Sequence, residues 1–140
     1  MRKKRNVMAF LLDTNAWIVY LKSPSSRIRE RLESLNPESV FLCSVVKAEL
    51  FHGALKCGNP ERRMTILREL FASYASVPFD GRTAVAYAKL RHELELRGEL
   101  IGPHDLMIAA IAVVNELTLV TQNSEEFRRV ANLKIEDWMG

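Results

Sequence analysis

Short, mostly apolar runs alternate along this chain with longer segments whose apolar residues recur every three or four positions. Residues 7–12, 40–43, 77–79 and 117–121 are the runs. They are too short for helices and lack the polar alternation of a strand with one wet face, so each reads as a strand buried on both sides. Helical segments are predicted at 16–21, 28–35, 44–56, 61–74, 82–97, 103–115 and 123–130, and 133–135 is a candidate edge strand. The boundaries carry local signals: Ser44 as a cap, 57–60 as a stop, Gly98 as a terminator, and Pro103 at a first helical position. Strands that alternate with helices predict an α/β fold, a parallel sheet covered on both faces.

Three carboxylates stand out against this apolar background: Asp13 after Met8-Ala9-Phe10-Leu11-Leu12, Glu49 within Ala48-Glu49-Leu50-Phe51, and Asp105 before Leu106-Met107-Ile108. An isolated buried carboxylate costs several kcal/mol or takes up a proton, whereas carboxylates gathered around Mg²⁺ or Mn²⁺ have their charge offset. Asp13 falls at the carboxyl end of a strand, where open α/β sheets place their ligand crevice, although it is also suited to capping the next helix. Glu49 shares a helix face with Val45, Val46 and Gly53, predicted to point inward, with Gly53 allowing another backbone to approach. Asp105 lies in the first turn of its helix, where N–H groups and the helix dipole favour the ionised form. The pattern is that of a metal-dependent hydrolase.

At 140 residues and 48% hydrophobic content the chain suits a single domain over 1–140, with a core that needs no disulfide or zinc. Cys43 and Cys57 have no paired spacing and read as ordinary thiols. No apolar run approaches the ~20 residues of a membrane span, and the apolar run after Arg2-Lys3-Lys4-Arg5 is too short for a signal peptide, so a cytoplasmic protein without membrane attachment is expected. Residues 1–6 form a basic extension, expected to be disordered. The net charge of +3 arises from clusters of Arg and Lys. These suit a phosphate-bearing partner, or else form solvated helix faces paired with Glu30, Glu33, Glu61 and Glu69.

Four segments, Leu11-Leu12-Asp13-Thr14-Asn15, Ser44 through Gly53, Ile101 through Ala110 and Leu119 through Phe127, together resemble the PIN-domain ribonucleases, and within them the VapC toxins of VapBC toxin-antitoxin pairs. The likeness runs to Lys134-Ile135-Glu136-Asp137-Trp138. It implies a three-layer α/β/α sandwich whose acids meet at one end of a central parallel sheet and hold Mg²⁺ or Mn²⁺ for endoribonuclease chemistry. Carried over by motif, Asp13, Glu49 and Asp105 are the three family acids, with Asp13 and Asp105 as direct ligands and Glu49 ligating or orienting water. Asn123 stands where many relatives have a fourth aspartate, which weakens the case for a second metal. The resemblance also implies an RNA substrate such as tRNA or a ribosomal RNA loop, a cognate VapB-like antitoxin and a homodimer.

The other polar residues are read more plainly. His52, His92 and His104 have unrelated spacings, which argues against a metal-free acid-base ribonuclease. His104 is expected to point about 100° away from Asp105 on the helix. Thr14 and Asn15 are candidates for helix capping or for contact with phosphate, Thr121 for a hydroxyl in the site, and Asp80 for a turn. Glu125, Glu126 and Asp137 read as solvent-facing, with Glu126 able to approach through its helix. The competing functions are a nuclease for messenger RNA or single-stranded DNA and an inactive binding module. A phosphatase would need a second aspartate where Asn15 stands.

Overall fold

Phe10–Leu12 forms the central strand β1, and all of it is buried. The computed structural model describes residues 8–139, so the basic residues 2–5 lie outside it. On one side β1 pairs with β2 (Val40–Cys43), with Phe10 opposite Val40, and on the other with β4 (Thr118–Val120), with Leu12 opposite Val120. Beyond these lie β3 (Ala75–Val77) and β5 (Ile135–Glu136) as the two edges. The order β3-β2-β1-β4-β5 is parallel throughout. The chain builds outward from β1 to β3 and then returns to add β4 and β5 on the opposite side. The turning point lies between the ends of β1 and β4, the place where sheets of this kind open a crevice.

Parallel neighbours require crossovers, and helices supply them. α1 (Thr14–Lys22) and α2 (Arg27–Ser34) join β1 to β2, and α3 (Ser44–Leu55) and α4 (Pro60–Phe71) join β2 to β3. α5 (Gly81–Leu96) and α6 (Pro103–Val114) lead to β4, and the short α7 (Ser124–Phe127) precedes β5. α3 packs on α4, α5 on α6, and α1 and α6 both meet α3. α6 is the most deeply set: Leu106 and Ile108 through Ala112 are all buried, and its alanines let neighbouring elements come close. Past β5, Trp138 packs edge-on against Phe10, with ring centroids 4.9 Å apart. No described helix is long and apolar enough to cross a membrane.

Several expectations shift. The third strand is Ala75–Val77, not 77–79: as an edge strand it is exposed at Ala75 and Ser76, which hid it from a search for apolar runs, and it stops before Pro78, which has no N–H for a ladder. Ser44 begins α3 rather than capping it; Cys43 holds the cap position and makes no side-chain capping bond. The helix expected at 123–130 is only Ser124–Phe127, and the edge strand is Ile135–Glu136. Gly53 is exposed, and a Cβ there would meet nothing within 4 Å, so no backbone approaches it. Gly98 does end α5, with φ 66°. Trp17, Leu67 and Phe71 are core residues, whereas Ile66 is 36% exposed.

Candidate active site

Asp13 leaves β1 with its backbone N–H donating to Val120 O at 3.0 Å, which continues the ladder toward β4. Its side chain is only 6% exposed, and Oδ1 accepts from the Ala16 N–H at 2.8 Å, so it caps α1. The capping reading of this residue is the one observed, and the cap engages Oδ1 alone. Burial pushes the Asp13 carboxyl above its ordinary range, and the Thr121 hydroxyl and Ala16 N–H, which favour the ion, offset only part of that. Thr121 is fully buried at the end of β4, and its Oγ1 also accepts the Asn123 N–H at 2.9 Å.

Glu49 comes in from α3, half-buried. The Thr14 hydroxyl donates to its Oε1, and His104 Nδ1 lies 3.1 Å from its Oε2. Thr14 thus does not cap α1, and Asn15 reaches sideways instead, donating to Gln122 Oε1 at 3.2 Å. Asp105 sits in the first turn of α6, where Gly102 offers no capping side chain. Its carboxyl is lifted to about 6, first by burial and then by the charges of Glu126, Asp13 and Glu49, with His104 opposing.

The fourth segment behaves differently from its reading. Asn123 Nδ2 donates to Glu126 Oε2 at 3.1 Å, and the Gly102 N–H approaches Glu126 Oε1 at 3.4 Å. Glu126 is therefore held at the start of α6, beside Asp105, and not directed to solvent. The signal was present in the spacing: Asn123 and Glu126 are three residues apart at a helix start and share a face. Glu125 and Asp137 are exposed as expected, and His52 and His92 are exposed too. Asp80 caps α5, accepting from the Thr83 N–H at 3.0 Å and its hydroxyl at 2.8 Å, and those bonds hold its carboxyl below the usual range.

The end of β1, the starts of α6 and α7 and the middle of α3 thus bring Asp13, Asp105, Glu126 and Glu49 near one another at the sheet's turning point. Among the described residues no Lys or Arg pairs with any of them. The donors on offer are carboxylate, amide and hydroxyl oxygens, the set preferred by a hard divalent cation rather than by zinc. Among the described residues no group of three acidic, His or Cys side chains is disposed to hold a metal ion. An ion of the Mg²⁺ type needs none, since it is commonly held by one or two carboxylates with water and a substrate phosphate. The residues therefore fit such an ion.

Residues 10–133 match the PIN domain. The chain belongs to the PIN-domain family. Within it, this PIN domain falls among the VapC ribonucleases. It is 35% identical over 132 residues to the tRNA(fMet)-specific endonuclease VapC of Salmonella typhimurium, covering 94% of this chain and 99% of that protein. With Ribonuclease VapC2 of Rickettsia felis it shares 33% identity over 94% of this chain and 98% of the other. The fold matches the DNA-bound VapBC crystal structure from Salmonella typhimurium with a TM-score of 0.88 at 35% identity, over 94% of this chain and 99% of that one. It matches VapBC2 from Rickettsia felis, bound to a promoter DNA fragment, with a TM-score of 0.86 at 33% identity, over 94% and 99%.

Proposed function

We propose that this protein is the endoribonuclease toxin of a VapBC-type pair, a single PIN domain that hydrolyses phosphodiester bonds in structured RNA with Mg²⁺ or Mn²⁺. The observation that carries this reading is the cluster of four carboxylates with no Lys or Arg partner among the described residues, in which Asp105 is raised to about 6 by burial and by its acidic neighbours. A fold keeps such repulsion where a bound cation relieves it.

Asp13 and Asp105 are the residues we assign to holding the cation, with Glu126 close by on the Asp105 side. A divalent cation there supplies Lewis acidity toward the phosphate oxygens and toward water. Glu49, fixed by Thr14 and His104, is placed to accept a proton from the attacking water at a carboxylate oxygen. Asn123 acts through Glu126, whose carboxylate it holds. The relatives named as tRNA(fMet)-specific make initiator tRNA the first substrate to try.

The partner reading concerns a groove of about 340 Å³ between α1, α3 and α4, with Ile18, Leu21, Leu50 and Leu67 on its walls and Glu49 at one end. Its apolar walls suit an amphipathic segment of a VapB-like antitoxin, which would run from the groove to the carboxylates and end there on a cationic side chain.

The test is cleavage of total tRNA and ribosomal RNA by the purified protein with Mg²⁺, with Mn²⁺ and with EDTA, beside Asp13→Asn. Cuts at one or a few sites that vanish with EDTA and with the substitution are expected. Binding of RNA without any cut would replace this reading with that of an inactive binding module.

A further inference from the structure

Glu49 differs from the other acids in how it is held. It stands on α3, an element separate from those that carry Asp13 and Asp105, at the end of a flexible side chain whose immobilisation costs rotamer entropy. The negative charges of Asp13 and Asp105 push it away. Its side chain is 30% exposed, so packing alone does not fix it. Two contacts do so, one on each oxygen: the Thr14 hydroxyl donates to Oε1, and His104 Nδ1 stands 3.1 Å from Oε2. One bond leaves a carboxylate free to swing about the contact, whereas two from opposite sides set both its position and its roll.

We propose that His104 is a positioning residue for Glu49, its Nδ1–H closing with Thr14 a clamp that joins the ends of β1 and the starts of α3's partner helices α1 and α6 into one constellation. This rests on the reading of Glu49 as part of the RNA-cleaving site. His104 itself is 63% exposed, so the fold does not need its ring for a core. Pro103 at the first helical position presets the backbone that carries it. Successive helical residues diverge by about 100°, so Asp105 turns into the crevice while His104 reaches across to α3. The same geometry requires the ring to carry its proton on Nδ1, since the Glu49 carboxylate only accepts.

Three substitutions at this position separate the hydrogen bond from ring volume: His104→Ala, His104→Phe, and His104→Asn, whose amide N–H stands near the place of Nδ1–H. Cleavage of tRNA at saturating Mg²⁺ is read as kcat and KM, with a thermal melt to confirm that each variant folds. His104→Ala and His104→Phe are expected to lower kcat about ten- to a hundredfold with KM unchanged. His104→Asn is expected to restore most of the loss, and none of the three to cost anything further on a Glu49→Gln background. Wild-type kcat in His104→Phe, a loss confined to KM, or no advantage of Asn over Phe would overturn the proposal. A readout free of catalysis is the ring tautomer, followed by nitrogen-resolved NMR of the metal-free protein at about pH 8. Nδ1–H in the wild type, reverting to Nε2–H in Glu49→Ala, supports the clamp, and Nε2–H in the wild type sinks it. Should the wild type cut no RNA, the nuclease reading fails, while the tautomer still decides the clamp.

Discussion

Glu126 stands beside Asp105, and after burial its charge is the largest contribution to lifting the Asp105 carboxyl to about 6. That pairing of two acids across α6 and α7 ties the chemistry of the site to the stability of the fold.

Folded Asp105 binds its proton more tightly than the unfolded chain, where such a group titrates near 3.8. Its contribution is therefore fully present below the unfolded value and is lost as pH rises toward about 6. The raised Asp13 acts in the same direction. In EDTA, wild type should lose about 1 kcal/mol relative to Asp105→Asn across that window, once solvent screening of this half-exposed group is allowed for. Added Mg²⁺ favours the ionised acids and should raise the melting temperature at neutral pH but not near pH 4. Melting curves at several pH values, with and without metal, check both statements.

Glu126→Gln removes a charge without changing shape. The Asp105 carboxyl should then move down toward its ordinary range, as carboxyl-carbon NMR of the metal-free protein would register. Cleavage should fall about 10–100-fold, the usual effect of losing a group that supports a metal ligand. Asn123→Asp sets a carboxylate against Glu126 and breaks the Nδ2 bond, so it should impair cleavage rather than improve the site. Improved activity with Asn123→Asp would show that the amide is a ligand in its own right.

Much of this arrangement is legible in the amino-acid sequence. Asp13, Glu49 and Asp105 announced themselves because each interrupts an apolar run, and β1, β2 and β4 were visible because both their faces are covered. Glu126 was legible only as an acid able to approach through its helix, since in a first turn next to Glu125 it also looks like a solvated residue, and the bonds from Asn123 and the Gly102 N–H decide between the two. β3 was misplaced for a related reason: an edge strand of Ala-Ser-Val carries little hydrophobic signal, and its position comes from pairing with Phe41 through Cys43. Thr14 and His104 are also invisible to pattern, because what matters is a contact between residues 35 and 55 positions from Glu49.

Stability and chemistry are separable at Trp138. Trp138 is 7% exposed and packs on Phe10, and its Nε1–H donates to Glu136 Oε1 at 2.9 Å. Trp138→Ala should cost about 3 kcal/mol or more by denaturant unfolding. Cleavage at low temperature should be unchanged, because the ring touches nothing in the carboxylate cluster.

Gly53 offers a way to separate the toxin's chemistry from its inhibition. It lies inside α3 on the rim of the apolar groove, with open space around the position of a Cβ. Gly53→Ala should therefore stabilise the protein by about 0.5–1 kcal/mol, the ordinary gain for removing a helical glycine. A longer side chain points into the groove without reaching the core. Gly53→Leu should fold and cleave RNA as the wild type does but resist inhibition by its antitoxin, as titration of cleavage with the purified partner would measure. Full inhibition of Gly53→Leu would place the antitoxin segment on another face and leave the groove without that role.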